Sequence, residues 1–380
     1  MNFDPTEEQR LVASTVREFA EREVAPIASS IEEEMRFPVE LLPGMAGIGL
    51  MGMQVPEKYG GAGVDTVSYA MAIEELARAS ASVAIIVSVH NSLVLHPLLT
   101  FGSDEQKDMH VPDMVRGRKL GAYCITEATA GSDVANESSL GVRDGDDYVL
   151  NGEKLFITNG DKADIFFVMI RTAPGKGSKS LSAFLIERGT EGFQISEPLR
   201  KMGLNASGTV SIRLEDCRVP AGSMLGREGD GMKIALSTLD GGRIGVGAQS
   251  LGIAQGALDA ALDYARQREQ FGKKIAEFQG IQWMLADMAM SVEASRVMLY
   301  RAAFLRDAGR DYGMAASMAK LLASETANMV ADRAVQIHGG LGYIRGTPAE
   351  RFYRDARITR IYEGTSEIQR HVIARRLLRQ

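Results

Sequence analysis

The apolar residues of this 380-residue chain change their spacing twice, near Gly121 and near Gly229. A period of about 3.6 residues lines one face of a helix and a period of about 2 lines one face of a strand, so one architecture cannot continue across such changes. Up to Arg116 the spacing is helical. Thr6-Glu7-Glu8-Gln9 fits a capping box, and Val12, Val16 and Phe19 follow at helical intervals. Further helices are predicted over Val67–Ala79, over Val83–Phe101 and from Ser103-Asp104-Glu105-Gln106 to Arg116, with Pro38, Pro43 and the glycine-rich Gly44–Gly63 region between them and the first. Beyond Gly121 the pattern is that of strands: Ile165–Ile170, Leu181–Ile186 and the alternating Val210-Ser211-Ile212-Arg213-Leu214. Asn151-Gly152 between Tyr148-Val149-Leu150 and Lys154-Leu155-Phe156-Ile157 predicts a hairpin turn. Short connections, such as the Pro174–Ser180 loop, predict an antiparallel sheet. From Met232 helical faces return: Ile244, Ala248, Leu251, Leu258, Leu262 and Ala265; then Ile281, Leu285, Met288, Val292 and Leu299; then Met318, Leu322, Met329 and Ile337. Long alanine-rich helices pack side by side. The expected order is α, β, α, with domains over 1–119, 120–230 and 231–380.

Composition removes several function classes. The chain is longer than one hydrophobic core supports. Its 45% hydrophobic and 24% charged residues are those of a soluble globular protein. Net charge is −6 and no Lys/Arg cluster resembles a nucleic-acid footprint; Arg375, Arg376 and Arg379 suit a helix C-terminus. Cys124 and Cys217 offer neither a disulfide framework nor a CxxC site. His90, His96, His110, His338 and His371 form no ligand-spaced pair, so no metal is expected. Met1–Pro5 has neither a basic nor an apolar leader pattern, and the apolar run Val83–Val89 is too short to span a bilayer. A cytoplasmic protein without a membrane span is expected. The 19 methionines, many in the C-terminal helices, read as core filling.

Five segments bear on chemistry. Gly47-Ile48-Gly49-Leu50-Met51-Gly52 matches GxGxxG with Glu74 at a ribose-binding distance, but Pro43 and Pro56 flank it and no βαβ pattern surrounds it, so it is read as coincidence. Ile125-Thr126-Glu127-Ala128-Thr129-Ala130-Gly131-Ser132-Asp133 crowds hydroxyls, a glycine and carboxylates at the α-to-β junction, suited to a heteroaromatic ring, a pyrophosphate or a plain polar turn. Gln336-Ile337-His338-Gly339-Gly340-Leu341-Gly342 ends a helix with more glycines than a cap requires, ahead of Arg351, Arg354, Asp355 and Arg360. Arg268-Glu269-Gln270-Phe271-Gly272 closes the long helix that has Asp240 and Arg243 near its start, where an arginine holds either a phosphate or a structural ion pair. In Ile361-Tyr362-Glu363-Gly364-Thr365-Ser366-Glu367-Ile368-Gln369-Arg370 a glutamate stands in mostly apolar company before a glycine. Desolvation raises a carboxylate's pKa towards that of a general base; the alternative is a solvent-facing residue ahead of a helix capped by Thr365 or Ser366.

Together these segments resemble the acyl-CoA dehydrogenase family from about Phe3 to Leu378: Cys124–Asp133 is similar to its first signature, Gln336–Asp355 to its second, and Ile361–Arg370 to its catalytic segment. The resemblance implies an N-terminal helical domain, a middle β-barrel-like domain and a C-terminal four-helix bundle, assembled as a homotetramer with FAD shared between subunits. It implies that Ile125, Thr126, Ser132, Phe156 and Thr158 contact FAD in one subunit, with Thr365 and Glu367 nearby, and that Arg268, Phe271, Gln336, Gly339 and Gly340 contact its adenosine and pyrophosphate end from the neighbour. Ser132, Asp240 and Arg243 would face the CoA moiety, and Tyr362 and Gly364 would also contact the substrate. Glu363 would remove the α-proton while flavin N5 accepts the β-hydride, the thioester oxygen being held by the Glu363 N–H and a ribityl hydroxyl. Electrons would pass to electron-transfer flavoprotein, as in fatty-acid β-oxidation.

Relatives that carry the base on the helix near Gly242 are unlike this chain, where that position is glycine, and the wording is most similar to short-chain members. Ala84, where glutaryl-CoA dehydrogenases carry an arginine, disfavours a dicarboxylic substrate, and the acyl floor is expected between Ile85 and Leu99. An acyl-CoA oxidase using O2 and a non-catalytic acyl-CoA-binding protein of the same fold are the rival readings. The chain departs from the family pattern at Ala128-Thr129 (usually Pro-Gly), at Phe156 (commonly tryptophan) and at Gly346 (usually acidic or amide).

Overall fold

The computed structural model describes residues 4–175 and 177–378; Phe3, Lys176 and Arg379 lie outside them. The first helical segment contains α1 (Glu7–Phe19), α2 (Ala28–Glu33), α3 (Leu42–Gly47), α4 (Thr66–Ala79), α5 (Ala81–Ser88), α6 (His96–Phe101) and α7 (Asp104–Val115). The expected capping box forms between Thr6 and Gln9, and the helix expected to open at Ser103 starts with a second one, Ser103 with Gln106. A π-helical stretch, Val89–Leu95, joins α5 to α6, so the helix outruns the apolar run seen in the sequence. Ala81–Phe101 is long and apolar enough to cross a membrane by composition, but 83% of its most apolar window is buried inside the protein. The Gly47–Gly52 segment is the end of α3 and a 3-10 turn, and Glu74 accepts from Arg296 and Tyr300. Among the described residues no nucleotide-binding βαβ unit surrounds it.

The middle segment is an eight-stranded sheet in the order β6-β7-β3-β2-β4-β5-β8, with β1 beside β4. Its strands are β1 (Gly121–Cys124), β2 (Leu140–Asp144), β3 (Asp147–Thr158), β4 (Ile165–Arg171), β5 (Leu181–Glu187), β6 (Phe193–Ile195), β7 (Thr209–Pro220) and β8 (Met224–Leu225). Two expectations are corrected. The hairpin turn is Gly145-Asp146, where Asp144 pairs with Asp147 and Gly145 takes φ 64°, the glycine-first pattern of tight hairpins. Asn151-Gly152 lies inside β3 at a register shift against β7; there a Cβ on Gly152 would sit 2.2 Å from Ser139 Oγ. The sheet is also not wholly antiparallel. β1 runs parallel to β4, Gly121 opposite Ile165, because β2 and β3 intervene and give the chain length to cross over.

β4 and β5 fasten the sheet to the helices. Phe166, Val168, Ile170, Phe184 and Ile186 point into the sheet's own core, whereas Ile165, Phe167, Met169, Leu181, Ala183 and Leu185 join the helical core. His90 adds a polar tie: its Nδ1 accepts from Gly121 N–H, so Nε2 donates to Met51 and Met114 carbonyls, and burial pushes its pKa down to about 4. Glu32 of α2 accepts from the backbone N–H groups of Asn205 and Ala206, and Asp355 from that of Leu204, so one loop is held by both helical segments.

The last segment contains α8 (Gly231–Gln267), α9 (Gln279–Asp307), α10 (Gly313–His338), α11 (Pro348–Ile358) and α12 (Ser366–Leu377). α8 runs through the middle of the molecule, and its glycines admit close neighbours: a Cβ on Gly252 would meet the Glu74 carbonyl at 2.3 Å, and one on Gly245 would meet Ser88 Oγ at 2.3 Å. Between α8 and α9 a small hairpin pairs Glu269–Gln270 with Lys273–Lys274.

Candidate active site

A cleft of ≈ 710 Å³ opens where α5 and its π-helical continuation, β1, β3, α8 and the Tyr362–Gly364 turn converge. Glu363 stands in that turn with φ 53° and Gly364 follows at φ 91°. Positive φ in a long-chain residue is uncommon and persists only where its surroundings hold it. Lys320 Nζ donates to the Gly364 carbonyl at 2.8 Å, and Gln369 Nε2 donates to the carbonyls of Glu363 and Gly364 at 3.0 and 2.9 Å. Thr365 caps α12 by accepting from Ile368 N–H, and Ser366 Oγ donates to Glu325. Tyr362 OH donates to Gln249 Oε1. The turn is thus fixed from α8, α10 and α12.

Glu363 Oε2 is buried and, among the described residues, has no hydrogen-bond partner. It lies over Gly242 so closely that a Cβ there would sit 2.2 Å from Oε2 and 2.8 Å from Leu93 Cδ2. Glycine at 242 is therefore more than the lack of a competing base: it makes room for this carboxylate. Burial pushes the Glu363 pKa up to about 7, with Lys320 and Arg243 drawing it back. Among the described residues no acceptor takes the Glu363 N–H. Arg243 lines the cleft and donates to Asp240, which lies behind it beside Arg376.

The opposite wall carries Ile125, Thr126, Ser132, Phe156 and Thr158, all expected to meet one ligand. Leu155 N–H donates to the Thr126 carbonyl at 2.8 Å and ties that loop to β3. Phe156 has φ 60° and is 65% exposed, an aromatic face held out into the cleft. Behind the loop Glu127 is saturated: it accepts from Ser138 N–H at 2.5 Å, Ser138 Oγ at 2.6 Å, Ser139 N–H at 3.1 Å and Lys154 Nζ at 2.7 Å. Burial opposes its ionisation, yet Lys154 and these donors bring its pKa down to about 2. Glu137 shares Lys154 at 2.9 Å, and burial pushes it up to about 8. Ala128-Thr129 form a tight turn closed by mutual backbone hydrogen bonds between Glu127 and Ala130.

The remaining expected residues lie elsewhere on the chain. Arg268, Gln336, Gly339 and Gly340 are exposed, and Phe271 is 93% exposed at a hairpin tip with φ 55°. Gly342 is required internally, since a Cβ would meet the Val335 carbonyl at 2.6 Å, whereas Gly339 and Gly340 face open space. Arg351 and Arg354 are used structurally, donating to the Ala79 and Met202 carbonyls, and Arg354 also pairs with Glu350. Gly346, at φ 90°, donates its N–H to Glu350. Glu367 is exposed in the first turn of α12. Sequence reasoning missed Lys320, Gln369 and the cleft face of α12, Ile368, His371, Val372 and Arg375; the helical spacing of those four was the available signal.

An isoalloxazine ring suits this cleft. Phe156 offers an exposed aromatic face, and among the described residues no side-chain hydrogen bond engages the hydroxyls of Thr126, Ser132 or Thr158. A helical–β–helical chain that points a desolvated carboxylate into such a cleft fits a flavoprotein oxidoreductase. The N-terminal, middle and C-terminal domain models of acyl-CoA dehydrogenase match residues 6–118, 122–217 and 229–378. The short-chain-specific acyl-CoA dehydrogenase of Clostridium acetobutylicum is 46% identical over 379 residues, 100% of each chain. The butyryl-CoA dehydrogenase structure from Megasphaera elsdenii matches with a TM-score of 0.97 at 43% identity over 100% of each chain. A chain in the structure of the electron transferring flavoprotein of Acidaminococcus fermentans matches with a TM-score of 0.98 at 44% identity, again over 100% of each chain. This chain belongs to the acyl-CoA dehydrogenase family and is an FAD-dependent oxidoreductase.

Proposed function

We propose that the protein dehydrogenates a short-chain acyl-CoA to the trans-2-enoyl-CoA, with Glu363 as the base that takes the α-proton. The observation that carries this reading is the buried, unpartnered Glu363 Oε2 held over Gly242. A base needs a free lone pair and a pKa near the working pH, and Glu363 has both. The Glu363 N–H is free to donate to the thioester oxygen as negative charge develops on it. Ile85, Val89 and Leu93 form the apolar wall that receives the acyl chain and excludes water, and Arg243 faces the CoA portion with Asp240 behind it.

Ile125, Thr126, Ser132, Phe156 and Thr158 would hold FAD, which when bound supplies the two-electron acceptor. Arg268, Phe271, Gln336, Gly339 and Gly340 would reach the cofactor of a second copy, with Thr365 and Glu367 near the boundary. A bulky Phe271 held exposed at positive φ supports a contact beyond its own chain. So does the exposed stripe Trp283, Met290, Val297 and Phe304, one residue every second turn of α9, which suits a helix-to-helix contact in a homotetramer. The likeness to a chain in an electron transferring flavoprotein structure supports such a protein as electron acceptor.

An anaerobic titration tests the reading. The yellow holoenzyme is expected to bleach with butyryl-CoA and far less with palmitoyl-CoA. A colourless protein, or one that binds the ester without bleaching, contradicts it, and rapid peroxide formation in air points to the oxidase.

A further inference from the structure

The reaction leaves a buried lysine beside the base without a role. Lys320, on α10, is fully buried, and its Nζ hydrogen bond goes to the carbonyl of Gly364, the residue after Glu363. A buried ammonium normally has a carboxylate in contact. Arg243 has one in Asp240, but among the described residues no carboxylate forms an ion pair with Lys320. We propose that Lys320 is a positioning residue for the base: it fixes the Glu363-Gly364 turn through the Gly364 carbonyl, and its unpaired positive charge keeps the carboxylate over Gly242 ionised and ready to accept a proton. The inference rests on Glu363 being the base.

Other charged groups surround this pair, and His371 and Arg375 of α12 line the same cleft. From α8 come Arg243 and Asp240, already paired. Glu325, further along α10, is held by Arg360 and Ser366, and Glu367 is at the α12 surface. Arg306 of α9 donates to His96. The phenols Tyr69, Tyr123 and Tyr362 stand nearby, all with raised pKa, so they remain neutral. Burial pushes Lys320 down to about 8, opposed first by Glu363, and Lys320 is first among the charges that draw Glu363 down against its burial. Each charge therefore favours the charged form of the other.

Infrared difference titration of the holoenzyme follows the Glu363 carboxyl directly, assigned by its loss in Glu363→Gln. Lys320→Gln keeps an N–H donor for a carbonyl but removes the charge; Lys320→Arg retains a charge that does not titrate. In Lys320→Gln the Glu363 midpoint is expected to rise by about one pH unit or more, the acid limb of kcat/KM moving with it. In Lys320→Arg the midpoint is expected near that of the wild type, and any fall in kcat/KM near pH 8 to disappear. An unmoved Glu363 midpoint in Lys320→Gln overturns the proposal whatever its turnover. Should that variant not fold, an alkaline fall that persists in Lys320→Arg overturns it instead. Full turnover by Glu363→Gln would refute the base assignment separately, leaving the infrared shift as the test of the pair.

Discussion

Two glutamates in this molecule lie near fully buried lysines and end in opposite states. Glu127, with Lys154, accepts four hydrogen bonds and is held at about 2. Glu363, near Lys320, keeps a buried oxygen without a partner and is raised to about 7. An ammonium nearby does not by itself decide a carboxylate's chemistry: at Glu127 the Lys154 charge, with the hydrogen bonds behind it, overcomes burial, whereas at Glu363 burial prevails over the nearby charges. The saturated pair holds the loop on one side of the cleft, and the unsaturated one is left with a lone pair to use.

The largest expected effect separates the two by function. Glu363→Gln should lower turnover by about 10³-fold or more, the contribution of a lost general base, without loss of folding. Glu127→Gln should retain most turnover and lose stability; equal losses of turnover in both would erase the distinction. Lys154→Met strands Glu127 and Glu137 without their shared cation and should cost about 3–5 kcal/mol in denaturant unfolding. Gly242→Ala presses on Glu363 Oε2 and Leu93, both ends of side chains that can shift, so about a tenfold loss of kcat/KM with little change in Tm is expected.

pH provides the finest discrimination. Glu127 lies below its ordinary 4.5, so its stabilisation is present above that value and is lost as pH falls towards about 2. Glu363 lies above its ordinary 4.5, so its contribution is favourable below that value and is lost as pH rises through about 7. The stability deficit of Glu127→Gln should therefore shrink on acidification, whereas Glu363→Gln should gain on the wild type as pH rises through about 7. Unfolding curves at several pH values would check both signs.

The two sites also differ in how legible they were. Caps, helical faces and the α-β-α order depend on neighbouring residues, and the sequence carries them openly. Glu363, Phe156 and the hydroxyls of the Thr126 loop could be singled out as candidates because each sits in a compact segment. Lys320 was not, since its tie to Gly364 spans 44 residues, and neither was the Glu127–Lys154 pair, which spans 27. The hairpin at Asn151-Gly152 was misplaced because the same glycine suits a turn and a bulge. Only the approach of Ser139 and the pairing of β3 with β7 determine which forms.

The central claim is proton abstraction by Glu363, and α-hydrogen exchange measures that step apart from electron transfer. With a β-thia acyl-CoA, which has an α-C–H but resists dehydrogenation, the wild-type holoenzyme in D2O should exchange the α-hydrogens. The rate should rise as pH passes through about 7, and Glu363→Gln should show no exchange above background. Exchange at the wild-type rate in Glu363→Gln would contradict the account.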